Sequence, residues 1–347
     1  MTAMKKQFTF YVASGECEIR IGEARSNVQG FLSATRYVVI AEVAVADKVP
    51  LLLPLETKPR SVITIAGGES CKCLSAAESL YAQLLSHEVD RATVCVAIGG
   101  GALLDLAGFV AATYLRGLRL VSIPTTLLAQ VDASVGGKNG VDFHGFKNII
   151  GTVRQPACVV LDVNSLVSLP EQEFVSGLAE VVKAAVIADT SFFEWLETHL
   201  AEILRRDRNT LEELVSRSVQ IKLEIVGKDE LELGERRKLN YGHTVGHAVE
   251  LAAHLRHGEA ISIGMTLEAR FAVSQKWQSE QSLVRLRKLL ESMGLPVDLT
   301  IKRDELLKAL VNDKKREGET LHLPVVSEIG HSHIRQVSMG ALSEFFR

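Results

Sequence analysis

The chain reads as an α/β amino-terminal domain followed by an all-α carboxy-terminal domain, and three observations predict this. Between residues 37 and 161, short apolar runs rich in Val and Ile alternate with helical stretches, the pattern of a mainly parallel sheet covered on both faces. From Pro170 the periodicity becomes helical, and the one later strand expected is Leu321 to Val326. At 347 residues the chain exceeds one ordinary core and suits two domains, expected over 1–168 and 169–347.

Taken in order, Tyr37 to Val45 and Ser61 to Ala66 read as buried strands, with Pro50, Pro54 and Pro59 punctuating the connection. The turn Gly67-Gly68-Glu69-Ser70-Cys71-Lys72 opens a helix that should run to about Ser86. Glu69 and Lys72 read on their own as a surface ion pair, the alternative being contacts to the ribose and phosphate of a nucleotide. Thr93 to Ile98 is a continuous apolar strand ending in Gly99-Gly100-Gly101, with a helix beginning at Ala102. Strand, glycine turn and helix N-terminus together make an anion site, because free backbone N–H groups and the helix dipole face the turn. The spacing is not G-x-G-x-x-G, so the ordinary dinucleotide fingerprint is absent. Leu118 to Ile123 delivers Thr125 and Thr126, whose hydroxyls suit phosphate or ribose contacts or simply cap a helix.

In the helical half, Glu171 to Ala188 carries Glu180 and Lys183 on one face among Ala and Val. A carboxylate there is costly to bury unpaired, so it either pairs with Lys183 or ligates a metal. A charged helix from about Asn209 to Gly227 carries Lys222, and Arg236 follows. The densest chemistry lies in Asn240-Tyr241-Gly242-His243-Thr244-Val245-Gly246-His247 and His257-Gly258-Glu259. His243 and His247, four apart, share a helix face and form a candidate metal pair. Were His257 on the same unbroken helix as His243, about 21 Å would separate them. If His257 is a co-ligand, the chain must turn between about Ala252 and Arg256, with a new helix near Gly258. Glu180 with two of these histidines would make a common type of open zinc site.

Composition excludes several function classes. Hydrophobic residues at 47% and charged residues at 23% suit a soluble globular protein. A net charge of −3 gives no general reason to bind nucleic acid, and no apolar run approaches the ~18 residues of a membrane span. The segment before Phe8 lacks a signal-peptide pattern, and the five cysteines show no disulfide or zinc-ribbon spacing, so a reduced, cytoplasmic protein is expected. The pair Cys71 and Cys73 could touch a metal, but inert thiols are the expectation. Basic residues can still gather locally; Asp313-Lys314-Lys315-Arg316 reads as a solvated loop that could close over an anion.

These pieces stand in a telling order: Gly99-Gly100-Gly101-x-x-x-Asp105, Arg116-Gly117, Pro124-Thr125-Thr126 through Asp132, Gly136-Gly137-Lys138, Lys147-Asn148-x-Ile150-Gly151, Leu178 through Lys183, the two histidine motifs, and Asp313-Lys314-Lys315. From about Gly67 to Lys315 the chain closely resembles the 3-dehydroquinate synthase family of sugar phosphate cyclases. The resemblance implies a Rossmann-like NAD-binding domain, a helical metal-binding domain, an active site in the cleft between them, and a homodimer. It also implies a divalent metal, usually zinc, with cobalt an alternative. By position, Glu180, His243 and His257 correspond to metal ligands, and His247 becomes a substrate contact in place of the initial pairing with His243. The NAD site corresponds to Glu69, Lys72, Gly100, Gly101, Asp105, Thr125, Thr126, Lys138 and Lys147, with Ser165, Leu166 and Ser168 between the domains. Substrate contacts and catalytic positions correspond to Asp132, Lys138, Asn148, Lys183, Lys222, Arg236, Asn240, His247 and Lys314, while Arg116 reaches the neighbouring subunit's site.

The family's substrate is 3-deoxy-D-arabino-heptulosonate 7-phosphate, an anionic sugar phosphate converted to 3-dehydroquinate and phosphate while NAD is consumed and regenerated within one turnover. The lysines and arginines just named supply a locally positive site for its two anionic groups. Departures bear on loop details rather than on the chemistry: His144-Gly145-Phe146 replaces the usual Pro-x-Gly before Lys147, Glu235 stands before Arg236 where Leu is usual, and Asn139 replaces Thr. Ser168 for Thr keeps the hydroxyl, and the acidic residue expected near the end of an early strand to meet the adenosine is Glu42. Three alternatives stand beside this reading: another sugar phosphate cyclase, a metal-dependent polyol dehydrogenase that would release NADH, and an inactive binding protein.

Overall fold

The structure, a computed structural model, describes residues 6–33, 35–299, 301–314 and 320–346, with the side chains of 311–314 outside that description. It divides into two compact units. One runs to Pro170 and takes in Leu211–Val219; the other holds Glu171–Thr210 and everything from Gln220.

The first unit is built on a seven-stranded sheet. Its strands are β1 (Gln7–Val12), β2 (Gly15–Ile21), β3 (Tyr37–Glu42), β4 (Val62–Ile65), β5 (Val94–Gly99), β6 (Arg119–Pro124) and β9 (Cys158–Leu161), in the spatial order β1-β2-β9-β6-β5-β3-β4. All neighbours are parallel except β1 and β2, which form an antiparallel hairpin at one edge. The apolar runs seen in the sequence are explained by two-sided burial. Val38 and Ile40 of β3 and Cys95 and Ala97 of β5 enter one core, which includes Leu80, Leu84, Leu106 and Val110. Tyr37, Val39 and Ala41, with Val94, Val96 and Ile98, enter the other, against Val28, Leu32 and Val160. Strand side chains alternate between faces, so two clusters drawing on alternate residues mean both faces are covered. A second hairpin, β7 (Lys138–Phe143) and β8 (Phe146–Val153), stands outside the main sheet.

Two corrections concern these strands. The Tyr37 run ends at Glu42, because Val43–Lys48 coils into a 3₁₀ turn ahead of Pro50. The helix after Gly67 likewise begins only at Leu74, following a separate short turn over Glu69–Cys71.

The second unit is helical: Glu171–Ala188, Thr190–Thr198, Leu200–Leu204, His243–Ala253, His257–Ser274, Glu280–Ser292, Arg303–Lys314 and Met339–Phe346. The helix Arg208–Lys228 belongs partly to each unit. One antiparallel hairpin joins it, β10 (Thr320–Glu328) with β11 (His331–Ser338); β10 contains the strand expected over Leu321 to Val326. Val245, Val249, Ile263, Leu267, Phe271, Leu306, Leu323 and Val325 form its core. No helix among the described residues is long and apolar enough to cross a membrane.

Candidate active site

In the helical unit, every residue from Ser176 to Ile187 is buried, and Glu180 is among them at 2% exposure. Its Oε2 is ion-paired with Lys183, which is also buried. Its Oε1 faces two imidazoles, with His243 Nε2 at 3.6 Å and His257 Nε2 at 3.4 Å. Neither carboxylate oxygen completes a hydrogen bond of normal geometry. A buried anion needs cationic partners; Lys183 supplies one at Oε2, while Oε1 faces only the two imidazoles among the described residues.

The chain reversal needed to bring His257 back is present. The helix of His243 ends at Ala253, His254 turns left-handed (φ 53°), and Arg256 opens the next helix, its N–H donating to Glu259 Oε2 at 3.0 Å. Gly258 seats this helix against the one bearing Glu180: its N–H donates to Ser176 Oγ at 3.0 Å, and a Cβ there would stand 1.9 Å from the Ser176 carbonyl oxygen.

Hydrogen bonds on the far side of each ring set the tautomers. His243 Nδ1 lies 3.2 Å from the Tyr241 carbonyl oxygen, which can only accept, so the proton sits on Nδ1 and the Nε2 lone pair faces Glu180. His257 Nδ1 lies 3.4 Å from Glu250 Oε2, which likewise fixes a proton on Nδ1. Burial, then the Lys183 ammonium, hold His243 well below the ordinary histidine range, which keeps it neutral. Burial also lowers His257, but the carboxylates of Glu180 and Glu250 outweigh it and raise the ring to about 9, so this ring also holds a proton on Nε2 toward Glu180, the proton that a metal ion would displace. Glu180 is pushed up by burial and pulled down further by Lys183 and the two histidines, so it stays ionised. One carboxylate oxygen and two imidazole nitrogens within 4.8 Å of one another make a three-ligand, N,N,O donor set suited to a divalent ion with one position left open. His247, exposed, lies beside it with its ring 5.2 Å from His243 and 6.2 Å from His257, and groups with Glu250 and His257 within the same distance. Cys71 and Cys73 join neither group among the described residues.

Ahead of the histidines, Asp229 folds a tight loop around its own carboxylate. Oδ1 accepts the Leu233 N–H at 2.9 Å, and Oδ2 accepts those of Gly234 at 2.7 Å and Arg236 at 3.0 Å. The loop buries Arg236, which donates through Nη1 to the Glu230 carbonyl, and Asn240 donates to Glu232. Lys222 is buried on the Arg208–Lys228 helix.

In the α/β unit the glycine turn sits at the C-terminal end of β5, and the helix Gly101–Thr113 starts with no side-chain cap, leaving first-turn N–H groups for an anion. The Gly100 N–H donates to Glu42 Oε2 at 2.9 Å, so the carboxylate expected at the end of the early strand does lie at this turn. Glu69 and Lys72 are no surface pair. Lys72 is 3% exposed and reaches past Glu69 (3.5 Å) to Asp105 Oδ2 at 2.8 Å and Asn148 Oδ1 at 2.6 Å. Its solvent is replaced by these oxygens because a buried ammonium needs them. Thr125 donates its N–H to the Gly99 carbonyl at 2.9 Å, and Thr126 Oγ1 accepts the Ala129 N–H at 3.2 Å.

Models of two families tile most of the chain, 3-dehydroquinate synthase N-terminal over residues 62–176 and 3-dehydroquinate synthase C-terminal over 177–316. A 3-dehydroquinate synthase of Thermodesulfovibrio yellowstonii is 45% identical over 278 residues, covering 79% of this chain and 77% of that protein. One of Pyrobaculum neutrophilum is 38% identical over 346 residues, 99% of this chain and 98% of the relative. The chain belongs to the 3-dehydroquinate synthase family. Among solved structures, a 2-deoxy-scyllo-inosose synthase complexed with carbaglucose-6-phosphate, NAD+ and Co2+ superposes with a TM-score of 0.87 at 25% identity, covering 98% of this chain and 99% of that one.

The remaining family positions fall as follows. Lys138 opens β7, Lys147 and Asn148 are exposed on β8, and Asn148 is left-handed (φ 54°), its N–H on Asp142 Oδ1 at 2.8 Å. Asp132 lies in the Ala129–Ala133 turn. Ser165 donates to the Asp162 carbonyl at 2.7 Å, Ser168 Oγ accepts from Lys48 at 2.6 Å, and Leu166 is wholly buried, which leaves only its backbone to meet a ligand. Arg116 is exposed and left-handed (φ 63°) beside Leu115 (φ 50°). Lys314 closes the helix Arg303–Lys314 with its side chain outside the described residues, as is all of Lys315. Among the carboxylates that escaped the sequence reading are Asp229, Glu232, Glu250 and Glu268. For Glu268 the usable signal was the one that exposed Glu180, an acid set among apolar helix neighbours (Met265, Leu267, Ala269).

Proposed function

We propose that the chain converts 3-deoxy-D-arabino-heptulosonate 7-phosphate to 3-dehydroquinate and phosphate, with Glu180, His243 and His257 holding a divalent ion and the glycine turn of β5 holding NAD. The observation that carries the reading is the meeting of two Nε2 atoms on the one buried oxygen of Glu180. The donor set favours zinc, while the structural relative described above holds Co2+ with NAD+. When bound, NAD supplies reversible hydride acceptance at carbon 5 and the ion supplies polarisation of the neighbouring hydroxyls.

The chain's own part is placement. Lys183, held beside Glu180, and Arg236, held by its loop, set positive charge against the substrate's hydroxyls and carboxylate. His247 and Asn148 orient the phosphate so that it can remove the proton for its own elimination. Lys72, Asp105 and Glu69 form a charged, hydrogen-bonded floor for the nucleotide, and Glu42 meets its adenosine ribose. We further propose that the protein is a cytoplasmic homodimer, with Arg116 serving the neighbouring copy's site.

The test supplies the purified protein with the heptulosonate phosphate, NAD and zinc. Phosphate and dehydroquinate should form in equal amounts with no net NADH. Net NADH would identify a polyol dehydrogenase, and turnover of a different sugar phosphate alone would identify another cyclase.

A further inference from the structure

Glu268 has no part in the reading above, yet it is a carboxylate buried to 1% exposure. It lies on the His257–Ser274 helix and reaches across to the start of the His243–Ala253 helix. There its Oε2 accepts the Gly242 N–H at 2.8 Å and its Oε1 accepts the Val245 N–H at 3.1 Å. Gly242 is the N-cap of that helix, left-handed at φ 79°, and has no side chain to cap with. First-turn N–H groups need acceptors, and a carboxylate suits both them and the positive end of the helix. The cap is therefore supplied by the neighbouring helix, and the two bonds bracket His243 in the sequence. Nothing bulky separates the two helices here: a Cβ on Gly264 would lie 2.0 Å from the Gly242 carbonyl oxygen.

We propose that Glu268 is a positioning residue for the ion site: it pins the turn carrying His243 to the helix carrying His257, so that both Nε2 atoms reach one cation. Both of its oxygens are used, so an amide in its place would turn one acceptor into a donor facing a backbone N–H. The inference rests on the ligand reading of Glu180, His243 and His257, and its test keeps the two apart.

Zinc affinity of the full chain is measured by competition with a chromophoric chelator, and the visible spectrum of the Co2+-loaded protein is recorded, for wild type, His257→Ala, Glu268→Gln, Glu268→Asp and Glu212→Gln. Glu212 is a buried carboxylate paired with Lys6 at 2.7 Å in the other unit, and it controls for loss of a buried acid as such. Glu268→Gln should fold by circular dichroism, bind zinc about 10- to 100-fold more weakly, as loss of a supporting group does, and shift the Co2+ bands. Glu268→Asp, which keeps both oxygens one methylene short, should lose less, and Glu212→Gln should match wild type in both readouts. Wild-type affinity and spectrum in Glu268→Gln overturn the proposal; if that variant does not fold, the same result in Glu268→Asp overturns it. Wild-type zinc binding by His257→Ala, or none by the wild type, would instead overturn the ligand reading, and this inference with it.

Discussion

Nε2 of His257 lies 3.4 Å from Oε1 of Glu180, although the two residues belong to different helices, and the only other group facing that oxygen among the described ion pairs is the His243 ring at 3.6 Å. His257→Ala should therefore retain no stoichiometric metal after dialysis. Phosphate release should fall by more than the roughly 100-fold typical of losing a mere supporting group. Metal analysis and a phosphate assay on the same preparation check both; full activity with metal retained would remove His257 from the site.

Asp105 carries a pH dependence of its own. Burial raises it to about 6, against the pull of Lys72. Because the folded value lies above the ordinary 3.8, the native state holds the proton more tightly. The associated stability is present below about pH 4 and is lost as the pH rises through about 6, a change on the order of 3 kcal/mol. Asp105→Asn should flatten that part of the profile. Urea unfolding midpoints between pH 4 and 6 measure it, and parallel profiles for the two proteins would contradict the assignment.

Asp229 holds three backbone N–H groups of the loop that buries Arg236. Asp229→Ala should raise KM for the sugar phosphate about tenfold or more, with a smaller fall in kcat, because binding geometry is lost before chemistry. Asp229→Asn, with one oxygen left, should fall between. Steady-state kinetics decide it, and equal KM values for all three proteins would dismiss the loop's role.

Gly264→Ala would place a methyl 2.0 Å from the Gly242 carbonyl oxygen and 2.7 Å from the Gly246 nitrogen. Overpacking of this kind costs about 1–3 kcal/mol, which corresponds to a melting point lower by roughly 2–12 °C for a unit of this size. Calorimetry should also show weaker stabilisation by zinc than in the wild type. An unchanged melting point would mean that the helices part without cost.

The parallel strands were legible because burial on both faces leaves unbroken Val and Ile runs, as in Val94–Gly99. The reversal between Ala252 and Arg256 followed from rise per residue alone once His257 was set beside His243. The hairpin of β7 and β8 was not, since β8 is exposed along almost its whole length and shows no alternation. β1 did alternate, with Phe8 and Phe10 buried and Tyr11 exposed, but a single run of six residues gave too short a signal. The family motifs brought Glu180, His243 and His257 together, whereas Glu268 and Asp229 serve backbone N–H groups, whose positions no side-chain pattern encodes. Lys72 was misjudged because its main partner, Asp105, stands 33 residues away.

The pairing of β2 with β9 has a consequence for biosynthesis. Glu18 finds its partner Cys158 only after 140 further residues have been made. At a synthesis rate of about 5–20 residues per second, that is a wait of roughly 7–28 s. Through that interval the first two strands have only each other, and an isolated hairpin is marginal in water. The emerging chain thus leaves Phe8, Phe10 and Ile19, all buried in the finished fold, without their full cover until β9 arrives at the edge of β2.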